Sequence, residues 1–194
     1  MITDDTERFT KEIFEDKVYE FNPKYVVIDV GANVGLYSEY IYDRAKVIYA
    51  IEPSTKNYQL LLNRIKDKNL TKIKPFNIGL ANRTIETPLY KRSSNGGYSI
   101  MATGNDEIEE MVSITTLAMF MGGNNINYVD ILKVDVEGAE YDIFNSDDLS
   151  SVQGKIGNII GEPHGGISIK ELLEANGFSY RLNDSGIFIA ERIV

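Results

Sequence analysis

Apolar residues along the chain fall into short runs that alternate between two periods. Tyr25 to Val30 is a continuous β-branched run and reads as a buried strand. Leu36, Tyr37, Tyr40 and Ile41 then recur at helical spacing, which predicts a helix from about Gly35 to Arg44. Lys46 to Ile51 is the second strand; Ser54 is an N-cap for a helix over Lys56 to Lys66 that buries Tyr58, Leu61, Leu62 and Ile65. A third strand spans Ile73 to Ile78, and Ile85 to Tyr90 alternates weakly, as a hairpin strand would. Ser93 to Gly97 is the most turn-rich stretch and predicts a mobile loop. Val112 to Ile114 is a short strand, after which Thr115 or Thr116 caps a helix running to Met121, ended by Gly122, Gly123, Asn124 and Asn125. Tyr128 to Val134 is the fourth main strand, with a helix to about Phe144; Ile156 to Ile160 is the fifth, with a helix from Ser168 to Ala175 that Gly177 ends. Phe178 to Leu182 and Gly186 to Ile193 form an antiparallel hairpin around Asn183-Asp184-Ser185-Gly186.

Strands alternating with helices predict an α/β fold, a doubly wound, mainly parallel sheet. Residues 25–194 form one domain, and residues 1–24 a lead-in helix (Phe9, Ile13, Phe14, Val18, Phe21) that Asn22-Pro23 breaks. The length of 194 residues suits a single core of this kind. Composition narrows the function. With no cysteine, disulfides and thiolate metal sites are excluded, and a single histidine, His164, excludes multi-histidine sites. A net charge of -9 without a basic stripe argues against nucleic acid. The charged N-terminus and the absence of a long apolar run predict a cytoplasmic protein with no membrane partner.

Ligands of open α/β sheets bind at the carboxyl ends of the strands, and the acids of this chain gather there. Strand one ends at Asp29, strand two at Glu52, strand three near Asn77, strand four at Asp135 and strand five at Glu162. An acid at the tip of strand two takes both ribose hydroxyls of an adenosine and rejects a 2′-phosphate. The turn Gly31-x-x-x-Gly35 has Asn33 where a pyrophosphate-binding turn has its middle glycine. That substitution and the neighbouring Asp29 favour a phosphate-free, cationic ligand, and S-adenosylmethionine meets both conditions. The rival readings are a nicotinamide-dependent oxidoreductase, which needs the missing glycine, and a non-catalytic binding module.

Three stretches carry a resemblance: Val27 to Ser38 (V-I-D-V-G-A-N-V-G-L-Y-S), Ala50 to Ser54 (A-I-E-P-S) and Leu132 to Glu140 (L-K-V-D-V-E-G-A-E). They resemble the FkbM family of S-adenosylmethionine-dependent methyltransferases, and the last stretch is the specific one. The resemblance implies a Rossmann-like, seven-stranded class I methyltransferase sheet with helices on both faces, O-methylation of a hydroxyl on a sugar, glycan or other small molecule, and S-adenosylhomocysteine as product. It places Asp29, Gly31, Ala32, Asn33 and Gly35 on the methionine part of the cofactor, Glu52 and Pro53 at the ribose, Asn77 and Ile78 beside the adenine, and Asp135 facing the methyl. Ala118 stands where many members carry an acid after Thr-Leu.

An acceptor hydroxyl must lose a proton as the methyl arrives. His164, with an ordinary pKa near neutrality, is one candidate base; Asp135, Glu137 and Glu162 are the rivals. A divalent cation held by Asp135, Glu162 and His164 is a variant; the reading taken is metal-free. Glu140, at a helix start, reads as structural.

Overall fold

A computed structural model describes residues 25–91, 97–102, 106–145, 147–164, 169–184 and 186–193. The lead-in helix, the 93–96 part of the turn-rich loop and Ser168 at the predicted helix start lie outside the described residues.

In chain order the elements are β1 (Tyr25–Val30), α1 (Leu36–Tyr40), β2 (Ala45–Ile51), α2 (Thr55–Asp67), β3 (Ile73–Phe76), β4 (Gly79–Leu80), β5 (Ile85–Lys91), β6 (Tyr98–Ser99), β7 (Glu107–Thr115), α3 (Leu117–Gly123), β8 (Val129–Val134), α4 (Glu140–Phe144), α5 (Asp147–Val152), β9 (Ile156–Gly161), α6 (Lys170–Ala175), β10 (Arg181–Leu182) and β11 (Phe188–Glu191). Seven strands form one sheet in the order β10-β11-β9-β8-β1-β2-β3. Every neighbouring pair is parallel except those made by β11, which runs antiparallel to both β9 and β10. From β1 the chain first moves outward through β2 and β3, then returns to β8 on the other side. The topological switch point therefore lies between β1 and β8, where such sheets bind ligands.

The interior strands are apolar along almost their whole length because helices cover both faces. On one face Ile28, Val30, Leu132 and Ile159 pack with Leu117, Phe120, Ile143 and Leu173; on the other Val27, Ile48, Ile131 and Ile160 pack with Tyr37, Ile41 and Leu61. The predicted caps form, with the Ser54 hydroxyl accepting from the Asn57 N–H and Thr116 from that of Met119. The helix after β1 is shorter than predicted, giving way to a single 3-10 turn over Tyr42–Arg44.

A second sheet, in the order β4-β7-β5-β6, departs from the predicted elements. The predicted third strand stops at Phe76, and Gly79–Leu80 pairs with β7 instead. β7 is nine residues long, against the three predicted, and pairs antiparallel with β5. Its first half escapes periodicity because Glu107, Ile108 and Glu109 are all exposed. Leu89, Val112 and Ile114 give this sheet a small core of its own. No helix among the described residues is long and apolar enough to cross a membrane.

Candidate active site

A cavity of about 410 Å³ opens at the switch point, within the range of small-molecule sites. Its floor is the turn after β1. Gly31 has φ +75°, and a Cβ there would lie 1.8 Å from the Asp135 carbonyl oxygen, so only glycine lets β1 and β8 end side by side. The Gly31 and Ala32 N–H groups both donate to the Ile51 carbonyl at the tip of β2 (3.0 and 2.9 Å). Asn33 takes the left-handed conformation (φ 52°) that asparagine tolerates. The Arg64 Nε donates to the Val34 carbonyl and holds the far side of the turn.

Glu52 follows β2 and is 4% exposed. Its two carboxylate oxygens accept one N–H each, from Asn33 (2.8 Å) and from Ser54 (2.9 Å). The Asn57 side chain, which lines the same cavity, is a further hydrogen-bond partner of this carboxylate. Burial pushes this carboxyl above its usual range, against the pull of those N–H groups and of the Lys133 charge. Asn77 does not line the cavity; its amide donates to the Glu52 and Pro53 carbonyls (3.0 and 2.9 Å) and so shapes the turn that presents Glu52.

The end of β1 differs from the expected open acid. Asp29 is 0% exposed; one oxygen accepts from the Ser38 hydroxyl (2.7 Å) and the other lies 3.2 Å from the Lys133 ammonium. Lys133, on β8, also donates to the Gly31 carbonyl (3.0 Å) and sits 3.6 Å from Asp135. Burial alone would lower the Lys133 pKa, but the Asp29, Asp135 and Glu52 charges raise it. Of this group Lys133 and Asp135 line the cavity and Asp29 does not.

Beyond β8 the chain turns through Glu137 (φ 55°) and Gly138 (φ 110°) into α4. Glu140, 1% exposed, organises this turn: its two oxygens accept from the N–H groups of Val136 (3.1 Å) and Gly138 (3.0 Å). It also bonds His164 Nδ1 at 2.9 Å. The other ring nitrogen faces Glu162 (3.7 Å) and Glu137 (3.9 Å). The Glu140 hydrogen bond, opposed by burial and helped by the Glu140, Asp135 and Glu137 charges, raises the His164 pKa to about 9. At neutral pH His164 therefore already holds the proton a general base would have to accept. Ser99 ties the second sheet to this turn through a bond from its hydroxyl to the Glu137 carbonyl (2.8 Å), and Leu89, Tyr98 and Ile100 line that side of the cavity.

Of the residues predicted from sequence, Gly31, Ala32, Asn33, Glu52, Pro53, Asp135, Glu137 and Glu162 meet around one cavity. Asp29, Gly35, Asn77, Ile78 and His164 are not part of its wall. Gly35 (φ +83°) instead opens α1, where a Cβ would meet Leu61 at 2.5 Å. The three candidate metal ligands that come together are Asp135, Glu140 and His164, with Glu140 in place of Glu162. Their donor set suits a hard cation, but Glu140 and His164 are already satisfied by each other. Two residues escaped the sequence reading: Lys133, given no role, and Glu140, read as a helix-start acid. The signal for Lys133 was a charge at a buried position of a mostly apolar interior strand, which has to be paired.

The residues present fit S-adenosylmethionine at the adenosine end, where Glu52 stands as a buried carboxylate lining the cavity at the tip of β2. The comparisons with known proteins point the same way. The chain is 24% identical to Methyltransferase 1 of Beauveria bassiana (strain ARSEF 2860), over 87% of this chain and 79% of that protein. Its fold matches the crystal structure of Methyltransferase FkbM from Methylobacillus flagellatus KT (TM-score 0.60, 16% identity), covering 91% of this chain but only 46% of that one. It also matches M. capricolum TrmK in complex with S-adenosylhomocysteine (TM-score 0.54, 14% identity), over 98% of this chain and 67% of that one. The family model of the methyltransferase FkbM domain matches residues 29–190, nearly all of the described fold, and the chain belongs to that methyltransferase family.

Proposed function

We propose that the protein transfers a methyl group from S-adenosylmethionine to a hydroxyl of a sugar, glycan or other small molecule. The observation that carries this reading is Glu52: a buried carboxylate lining the cavity, held by two backbone N–H groups, at the strand tip where an adenosine ribose is bound. The cofactor supplies an electrophilic methyl on a sulfonium. The chain's part is to hold the two reactants in line and to take the acceptor proton. Glu52 holds the ribose, with Asn33, Ala32 and Pro53 around it. Asp135 faces the transfer point from the end of β8, and the second sheet, through Leu89, Tyr98 and Ile100, closes the acceptor side.

His164 is protonated at neutral pH, so the base is one of the carboxylates that line the cavity. Asp135 shares its charge with Lys133, and Glu162 is the most exposed of the three. Glu137, the least exposed of the three, is the one favoured; its left-handed backbone and the Ser99 bond to its carbonyl fix the turn on which it stands. The imidazolium beside it holds the acids together. Net charge -9 and an acidic rim favour an uncharged acceptor over nucleic acid.

The test is a screen of hydroxylated acceptors with methyl-labelled S-adenosylmethionine. The expected product carries the label as a base-stable methyl ether. A base-labile methyl ester, or label in RNA alone, contradicts the acceptor assignment.

A further inference from the structure

The second sheet has two faces, and its pairing register sorts the side chains between them. Opposed residues share a face, and successive residues alternate. Leu89, Val112 and Ile114 lie on the inner face, with Tyr98 and Ile100 packed against them. On the other face Tyr90 stands opposite Ile108 of β7 and Ser99 of β6, and Pro88 stands opposite Met111. The Met101 N–H donates to the Ser99 hydroxyl (3.1 Å), which places Met101 at the end of this row. A sheet face turned to water is ordinarily polar. Here Ile108 is 63% exposed, Met111 58% and Met101 40%, and Tyr90 and Pro88 are half-buried. Scattered apolar side chains need no explanation, but a contiguous set on one face does.

The strip starts at the cavity. Ser99 lines the cavity wall, and its hydroxyl donates to the Glu137 carbonyl. From Ser99 the row crosses Tyr90 to Ile108, two strand spacings or about 10 Å. Exposed acids border it: Glu107 and Glu109 on β7, and Glu86 beyond Pro88. These acids decide what the strip can hold. In a two-fold dimer the face would meet itself and bring acid against acid. An anionic membrane surface would be repelled in the same way. An uncharged apolar group meets neither objection, and two methionines give the surface the adaptability to fit one.

We propose that the outer face of the second sheet is a subsite for the acceptor, and that the acceptor is an uncharged amphiphile. Its hydroxyl-bearing head enters the cavity beside Glu137, and its alkyl or aryl body lies over Tyr90, Ile108 and Met111. The proposal rests on the methyl-transfer reading and narrows its acceptor from any hydroxylated small molecule to one with an apolar part about 10 Å long.

The test uses octyl glucoside, kept below its micelle concentration, against glucose. Calorimetry on protein saturated with S-adenosylhomocysteine should show octyl glucoside binding at least about tenfold more tightly, the worth of burying about two methylenes. Methyl NMR should show shifts at Ile108, Met101 and Met111, while Met119 and Ile193, which are exposed but not on this face, stay in place. The double variant Ile108→Ser with Met111→Ser should weaken octyl glucoside at least about tenfold and leave S-adenosylhomocysteine affinity unchanged. Equal binding of the two sugars overturns the subsite, as do shifts spread over all the exposed methyl groups or an octyl glucoside affinity unchanged in the double variant. Light scattering that finds a dimeric parent and a monomeric double variant also overturns it, because the face is then a contact between copies. If S-adenosylhomocysteine itself does not bind, the methyl-transfer reading fails, and the same two sugars on unloaded protein still decide the strip.

Discussion

Two of the buried carboxylates around the cavity, Asp29 and Glu140, are set apart by their partners. Asp29, after the apolar run of β1, is 0% exposed and paired with Lys133. Glu140, at the start of α4, is 1% exposed and paired with His164. The first partner is a lysine whose pKa the surrounding Asp29, Asp135 and Glu52 charges raise against the effect of burial. The second loses its charge as pH passes about 9. One end of the site is therefore an electrostatic fixture, and the other is conditional on a proton. The fixture underlies the cofactor turn; the conditional pair underlies the 135–140 turn that faces the acceptor.

The largest loss of stability is expected at the Asp29–Lys133 pair. Lys133→Met on its own leaves Asp29 buried without its cation, and removing one partner of a buried pair typically costs about 3–5 kcal/mol. Chemical denaturation should show that loss, and addition of Asn at position 29 should recover much of it. A single variant as stable as the parent would mean that Asp29 does not depend on Lys133.

The Glu140–His164 pair should respond more gently, because Glu140 keeps its bonds from the Val136 and Gly138 N–H groups. His164→Ala is expected to cost about 1–3 kcal/mol. The pH dependence has a definite sign. His164 has a folded pKa raised to about 9 from an ordinary 6.5. Its contribution to stability is then complete below about pH 6.5 and disappears as pH rises through about 9. Denaturation measured from pH 6 to 10 should show this decline in the parent and a flatter profile in His164→Ala. The same titration separates the two assignments of the base. Turnover that rises through pH 9 would make neutral His164 the base; turnover that falls there supports a carboxylate held by the imidazolium.

Much of this site is legible in the residues themselves. The strand tips Glu52 and Asp135, the glycine turn and the caps Ser54 and Thr116 all rest on local rules: where a strand must end, which residue tolerates a left-handed turn, which side chain accepts a helix N–H. The antiparallel hairpin at the end of the chain was readable for the same reason. The second sheet was not, because exposed Glu107, Ile108 and Glu109 erase the alternation of β7 and because β4 pairs across more than thirty residues with Ile114 and Thr115. The pairing of acids was equally hidden. Asp29 and Lys133 meet only because β1 and β8 are sheet neighbours, in register at Asp29 and Lys133. Glu140 reaches His164 across 24 residues. Sequence placed acids on a rim, but which of them face the ligand depends on these long-range partners.

The most direct measurement is calorimetric titration of S-adenosylhomocysteine into the parent protein and into Glu52→Gln. Glu52 holds two backbone N–H groups and, in this account, two ribose hydroxyls, so the substitution should weaken binding by roughly 100-fold, the scale of losing charge-assisted bonds. One-to-one binding to the parent with that loss in the variant is the expected result; unchanged affinity in Glu52→Gln would contradict the account.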